Sequence, residues 1–365
     1  MRLLATTVLF VCFGLATSAA RPLEIYFIDT EGGQATLLVT PAGESVLIDA
    51  GYGPRNGRGR GPATPADRDA LRILDAARAA GVSRIDYMVV SHFHPDHAGG
   101  VGELAARMPI VNFVDYGAPL GTIYGPDRMS ANTFAAYEAA RAKGRHIEAK
   151  AGNRLPLKEL EATIVSAGGQ HVSKPLAEGG STNSACTELE PHPEDGTENF
   201  RSVAVLFKFG AFRFLAPGDL SGMTLTRLAC PKDLVGRVSV MVTPHHGDYD
   251  ATVPSLYAAL QPRVVVVNNG AGTNHGGAPE HIQAIRSQAN FEDLWQLHLS
   301  ANMTADNAPD SFLANVDDGR TTGFPIKLTA DADGSFTVTN ARNGFSKTYP
   351  KRPAPPRPLQ STSAR

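Results

Sequence analysis

Four metal-ligand side chains fall within six residues, His92-x-His94-x-Asp96-His97, directly after the apolar run Tyr87-Met88-Val89-Val90-Ser91. The apolar run reads as a buried strand, and Ala98 to Arg107 reads as a helix rich in small residues. A strand that opens through a ligand-rich turn into a helix is the layout of an α/β site. Imidazole nitrogen and carboxylate oxygen are donors that suit zinc, iron or manganese. Alternate residues on such a turn can face two adjacent ions, His92 and His94 one, Asp96 and His97 the other. Neither a core nor a helix cap needs this cluster, so chemistry rather than packing accounts for it.

The chain around this turn has 365 residues, 42% apolar and 19% charged, enough for a sizeable core and without the signature of wholesale disorder. One large domain with additions and a pair of domains both fit that length. A net charge of −2 excludes the broad basic field of a nucleic-acid or membrane-surface binder, so any anion-binding surface must be local. The first twenty residues read as an export signal: Arg2, an apolar stretch from Leu3 to Ala16, and a small-residue cleavage site at Thr17-Ser18-Ala19-Ala20. That stretch is short for a bilayer span. The expected product is periplasmic or secreted, with no membrane span after cleavage. Cys186 and Cys230 then remain, and a bridge and two separate thiols are both open readings.

Leu23 to Ile28, Ala35 to Thr40 and Ser45 to Asp49 read as a β-meander, followed by a Gly- and Arg-rich loop from Gly51 to Pro62. Thr64-Pro65-Ala66-Asp67 opens a helix carrying Leu71, Leu74 and Ala77, which Gly81 ends. A further helix is expected from about Ser130 to Lys143, and Val203 to Phe209 with Phe212 to Ala216 forms a hairpin around Gly210-Ala211. Strands at Val238 to Val242 and Val264 to Val267 alternate with helices at Leu220 to Leu228 and Pro279 to Gln288. The expected organisation is a signal peptide over 1–20, a main domain over 21–320 with a probable insertion at 115–195, a β-hairpin over 321–349, and a disordered tail over 350–365.

With Ala98-Gly99-Gly100 after it, the ligand turn resembles that of the metallo-β-lactamase superfamily. Five further segments resemble the hydrolase domain of the competence DNA-uptake channel proteins and its secreted relatives: Phe27-Ile28-Asp29, Leu47-Ile48-Asp49-Ala50-Gly51, Ala216-Pro217-Gly218-Asp219-Leu220, Pro244-His245-His246-Gly247 and Asn274-His275-Gly276. The resemblance spans roughly residues 23 to 290. It implies an α/β fold, a four-layer αββα sandwich with the metals at one edge of two sheets, here with a C-terminal β-hairpin added.

By that resemblance Asp219 is the carboxylate bridging both ions. On the residues alone, the rival reading is a cap for the helix that starts at Leu220, and the ligand role is preferred. His245 and His246 are neighbours, and a strand end rarely lets neighbours face the same way. His246 is expected to bind metal, and His245 to reach the substrate. His275, in a Gly-rich loop, reads either as a substrate or proton-donor contact or as a surface histidine, and Asp49 reads as a residue that orients a ligand histidine. The sequence departs from the wider superfamily where a third histidine is usual, about twenty residues before Asp219: Asn199 stands there, with His192 the nearest alternative. Gln34 stands where the competence-type turn carries an acid.

The resemblance implies a hydrolase using two divalent ions, zinc first and manganese second, with Asp96 and Asp219 holding an attacking water and His245 at the leaving group. A phosphodiester is the favoured substrate. Arg55, Arg58 and Arg60, with Arg68 beyond them, could bind phosphate locally, although no interleaved aromatic residue indicates a nucleic-acid track. The alternatives are a lactone, lactam or other ester hydrolase of the same fold, and a degenerate binding module without catalysis.

Overall fold

The computed structural model describes residues 21–53, 67–119, 128–186, 197–272, 276–317 and 322–352. Strands β1 (Leu23–Phe27), β2 (Thr36–Val39) and β3 (Ser45–Ile48) form the expected antiparallel meander. Helix α1 (Arg68–Ala79) buries Ala70, Ile73, Leu74 and Ala77 at helical spacing. It ends ahead of Gly81, which takes the left-handed φ of 71° that a helix terminus favours. The expected cap at Thr64 lies outside the described residues. Strand β4 (Ile85–Val89) then runs into the ligand turn.

The helix read from Ala98 to Arg107 is two short ones, α2 (Pro95–Ala98) and α3 (Val101–Ala105). The break falls at Gly99-Gly100, against the segment that follows β3. A Cβ on Gly100 would lie 2.1 Å from the Ala50 carbonyl oxygen, and one on Gly99 2.5 Å from the Gly53 nitrogen. Only glycine lets the two backbones meet there, and the Gly100 N–H donates to the Gly51 carbonyl at 2.9 Å. The ligand turn is thereby tied to the loop carrying Asp49.

Next come β5 (Ile110–Asp115), α4 (Arg128–Arg141), β6 (Arg145–Glu148), β7 (Arg154–Leu155), β8 (Glu161–Ala167) and β9 (Gln170–His171). The hairpin around Gly210-Ala211 is β10 (Ala204–Phe209) and β11 (Phe212–Ala216). Strands and helices then alternate: α5 (Gly222–Arg227), β12 (Val240–Val242), α6 (Pro254–Leu260), β13 (Val264–Val267), α7 (Pro279–Arg286) and β14 (Asp293–His298). The chain closes with β15 (Leu313–Asn315), β16 (Ile326–Ala330), β17 (Phe336–Asn340) and β18 (Ser346–Tyr349).

These strands form two sheets, ordered β18-β17-β16-β1-β2-β3-β4-β5-β6 and β15-β14-β13-β12-β11-β10-β8-β7, with β9 paired to β8. The period-2 alternation of β13 shows how they stack. Val264 and Val266 join the core shared with the first sheet, whereas Val265 and Val267 join a second core with Leu225, Leu256 and Ile282 of α5, α6 and α7. The second sheet is covered on both faces, which is why β13 is an unbroken valine run. On the other side α1 packs Ile73 and Ala77 into the first core. The result is the αββα layering.

The C-terminal hairpin proves to be three strands and an integral part of the first sheet, because β16 pairs antiparallel with β1 from Leu23↔Ala330 to Phe27↔Ile326. The Trp295 indole N–H donates to the Tyr349 hydroxyl at 2.9 Å, linking β14 of one sheet to β18 of the other. Cys186 and Cys230 are bridged, which fastens the long middle segment against the turn after α5.

Candidate metal centre

The candidate residues gather where the parallel strands of both sheets end, the usual place for a site in such sheets. β4 delivers His92 and the turn delivers His94, Asp96 and His97; Asp219 follows β11, and His245 and His246 follow β12. Asp219 stands at the middle. Its Oδ2 lies 3.0 Å from His97 Nε2, 3.3 Å from His246 Nε2, 3.7 Å from His92 Nε2 and 3.8 Å from His245 Nε2. Asp96 Oδ2 is 3.3 Å from His246 Nε2 and 3.6 Å from His97 Nε2. One donor atom from each of Asp96, His97, Asp219 and His246 lies within 4.8 Å of all the others. Beside this group, His92 Nε2 meets His94 Nδ1 at 3.0 Å, and the His92 and His97 ring centroids are 4.1 Å apart.

Outer partners fix these rings. His97 Nδ1 lies 2.8 Å from Asp49 Oδ2, and Asp49 also accepts from the Ser91 N–H and the Ser91 hydroxyl, each at 2.7 Å. His246 Nδ1 faces the Asn268 carbonyl at 3.1 Å. The Asn268 amide in turn donates to Gln34 Oε1, and Gln34 Nε2 donates to Thr36 Oγ1 at 2.9 Å. Gln34 is thus a support for the residue that carries His246. His92 Nδ1 has the Ser91 hydroxyl at 3.0 Å and the Ser202 hydroxyl at 3.5 Å, and Ser202 Oγ accepts the Asp219 N–H at 3.1 Å.

The two adjacent histidines diverge because both sit on left-handed backbone, His245 at φ 44° and His246 at φ 55°. Such conformations are uncommon for residues with a Cβ and concentrate at functional sites. His246 turns into the cluster and is buried. His245 stays partly exposed, with Nδ1 2.6 Å from Asp250 Oδ1 and Nε2 3.3 Å from Asn199 Nδ2.

The charges of the cluster are strongly coupled. Burial opposes a charge on His97, but the Asp219, Asp96 and Asp49 carboxylates outweigh it and hold the ring well above its ordinary value. Burial likewise works against charged His246, yet Asp219 and Asp96 push it up to about 10, and Asp219 and Asp250 push His245 up to about 9. Against burial, the surrounding imidazoles hold Asp219 and Asp96 below the usual carboxylate range. The carboxylates therefore draw in positive charge from whatever source is near. A buried Asp219 Oδ1 with no hydrogen-bond partner, and His97 and His246 meeting Nε2 to Nε2 at 3.2 Å, fit a divalent cation held among nitrogen and carboxylate donors.

Other candidates fall elsewhere. His275, His192, Arg55, Arg58 and Arg60 lie outside the described residues. Arg68 does not serve as a phosphate ligand. It is 2% exposed, ion-paired to Glu31 and Asp69 at 2.6 Å each, and donates to the Thr30 carbonyl at 3.1 Å. Together with Arg72, which binds Asp29 at 3.1 Å and Glu31 at 2.9 Å, it clamps the turn after β1 onto α1. His281 is an ordinary core histidine, pushed down to about 4 by burial. Asn199, Asn268 and Asp250 are among the polar residues that sequence reasoning left without a role. Only Asn199 carried a signal, the position of the absent third histidine.

Residues 29–173 match the family profile described as the metallo-beta-lactamase superfamily. No curated protein sequence matches. Among solved structures, the chain is similar to the metallo-beta-lactamase fold protein YhfI from Bacillus subtilis, with 11% identity, a TM-score of 0.41, and coverage of 84% of this chain and 99% of that one. It is similar to an E377D mutant of the CmlA beta-hydroxylase at 13% identity and a TM-score of 0.45, covering 77% of this chain and 53% of that one, so it spans about half the length of that protein. A diphosphatase from the PhnP family is similar at 10% identity and a TM-score of 0.38, covering 82% of this chain and 96% of that one.

Proposed function

Residues 29–173 match the metallo-β-lactamase superfamily profile, and from that premise we propose that the chain is an exported hydrolase, dependent on two divalent ions, that cleaves phosphodiesters. The observation that carries the reading is the shared position of Asp219, whose Oδ2 lies within 3.7 Å of the Nε2 atoms of His92, His97 and His246. Ions held by His92, His94 and Asp219, and by Asp96, His97, His246 and Asp219, would lower the pKa of a water towards neutrality and polarise a phosphoryl or acyl oxygen.

The protein's own groups have distinct tasks. Asp219 and Asp96 would hold the cations, and their carboxylate oxygens could accept a proton from the attacking water. His245 Nε2, 3.8 Å from Asp219 Oδ2, can hydrogen-bond a substrate oxygen that reaches this carboxylate. Asp49 and Asn268 keep the Nε2 atoms of His97 and His246 aimed inwards.

The phosphodiester is favoured by the ordered motifs shared with the competence-type hydrolases and by the arginines at 55, 58 and 60. The N-terminal apolar stretch and the Cys186–Cys230 bridge support export, since disulfides persist in oxidising compartments. Among the described residues no helix is long and apolar enough to cross a membrane. The test is metal stoichiometry together with a small substrate panel. Protein loaded with zinc or manganese is expected to hold two ions and to hydrolyse bis-p-nitrophenyl phosphate. Turnover of a lactone or β-lactam without phosphodiester turnover replaces the substrate class, and failure to retain any ion after loading replaces the enzyme with a binding module.

A further inference from the structure

We propose that Asp250 is a positioning residue for this reaction, gripping the His245 imidazole through Nδ1 so that Nε2 faces the Asp219 side of the metal centre; the proposal rests on the hydrolase reading above. The Asp250 contact to His245 Nδ1, at 2.6 Å, is shorter than the 2.8 Å contact between Asp49 and His97. The proton on Nδ1 belongs to this pairing, which leaves Nε2, 3.3 Å from the Asn199 amide and 3.8 Å from Asp219 Oδ2, as the ring atom on the metal-centre side.

The turn bearing Asp250 is built to hold that carboxylate in place. Three consecutive residues, His245, His246 and Gly247, have left-handed φ values of 44°, 55° and 78°, and the chain then reverses through Asp248. The Asp248 N–H donates to the His245 carbonyl at 2.8 Å, and Asp248 Oδ1 accepts the Tyr249 N–H at 2.8 Å, capping the short turn Tyr249–Ala251. The Asp248 carbonyl is anchored from the core by His281. The Tyr257 hydroxyl lies 2.6 Å from His281 Nε2, and His281 Nδ1 lies 3.0 Å from that carbonyl. Burial keeps His281 neutral. A ring that accepts from Tyr257 at Nε2 must therefore carry its proton on Nδ1 and donate to Asp248. A chain of contacts thus runs from α6 and α7 through Asp248 to Asp250 and ends on His245. Asp250 itself is solvent-accessible and sits outside the cluster of ligand atoms, so its pairing with His245 can be tested without disturbing a ligand.

The decisive experiment combines histidine tautomer spectroscopy with kinetics on metal-loaded protein. In two-bond proton–nitrogen correlation spectra, with the His245 signals identified by their loss in His245→Ala, His245 is expected to be protonated at Nδ1 in the parent protein and to lose that fixed state in Asp250→Ala. With bis-p-nitrophenyl phosphate, Asp250→Ala is expected to lower kcat about 10- to 100-fold with KM and metal content unchanged, the scale on which outer partners and small misplacements act. Asp250→Asn, which retains an acceptor oxygen, should recover most of that loss. Adding Asp250→Ala to His245→Ala should cost nothing further. An Nδ1 that is unprotonated in the parent, a loss of metal in Asp250→Ala, or additive losses in the double variant overturns the proposal. If the parent protein turns over no substrate, the hydrolase reading falls, while the spectra still decide whether Asp250 holds the ring.

Discussion

The two sets of imidazoles around Asp219 are built to different standards. On one side His97 leans on a buried carboxylate, itself pinned by two donors from Ser91, and His246 leans on a backbone carbonyl backed by Gln34. On the other, His92 leans on serine hydroxyls and His94 is only half-buried. A carboxylate or carbonyl behind an imidazole fixes its orientation and raises its basicity more than a neutral hydroxyl does, even one such as Ser91 whose proton is committed to Asp49. The absent third histidine adds to the imbalance, since Asn199 directs its amide at His245. If both sets take an ion, the difference predicts that the groups behind the ligands, and not ligand count alone, rank the two positions. The His97 and His246 side is expected to bind its ion first and more tightly.

The largest effect should come from the residue the two sides share. Asp219→Ala removes the common carboxylate and leaves four imidazoles facing a void, so both ions and about a 1,000-fold share of activity are expected to go, on the scale of losing a principal charge stabiliser. Elemental analysis of the variant checks this, and a variant that keeps two ions breaks the idea of a shared centre. Next in size, Asp49→Asn should weaken the tighter ion about 10- to 100-fold in a chelator competition and the weaker one clearly less, since Asp49 reaches His92 only through the Ser91 hydroxyl. Equal weakening of both would erase the distinction between the sides.

The metal-stripped protein offers a third probe, through pH. His246 is raised to about 10 from an ordinary 6.5, so its charge pairing with Asp219 contributes fully below pH 6.5 and is lost as pH climbs towards 10. Asp219 is depressed, so its share is present above the ordinary carboxylate range and lost in acid. Melting temperatures of stripped protein should therefore fall steadily between pH 6.5 and 10, whereas loaded protein, with cations in place of those protons, should stay level. A stripped protein whose melting temperature does not change over that interval would show that protons do not substitute for metal here.

The ligand turn was readable because its chemistry is local: four donor residues within a single turn, after a strand that the apolar run marks out. His246 and Asp219 were readable through motifs at strand ends. The supports were not, because each is one ordinary polar residue whose partner is distant in the chain; Gln34 and Asn268 are separated by 234 positions. Arg68 reads in sequence as one more arginine of a basic loop, and only the fold places Glu31 and Asp69 around it. The break in the helix after His97 escaped for the same reason, since the glycines answer to a backbone near residue 50 rather than to their own neighbours. Strand β14 and helix α6 were missed altogether. The core residues of β14 surround Gln296, and α6 is a single short run behind Pro254, so neither shows a sustained period.

The smallest effect is expected on the looser side, from Ser202. Its hydroxyl accepts the Asp219 N–H at 3.1 Å and lies 3.5 Å from His92 Nδ1, so it touches both the shared carboxylate and the weaker site. Ser202→Ala leaves a buried N–H without a partner, a loss of about 1–3 kcal/mol in stability. His92 keeps the Ser91 hydroxyl at 3.0 Å, so its ring should reorient little. Affinity for the weaker ion should fall only about threefold, well short of the 10- to 100-fold that loss of a strong outer partner brings. Stepwise metal titration of Ser202→Ala beside Asp49→Asn measures the two on one scale. If the serine variant loses its weaker ion as sharply as the Asp49 variant loses its tighter one, a hydroxyl supports a ligand as well as a carboxylate does in this protein, and the contrast between the two sides rests on the missing histidine alone.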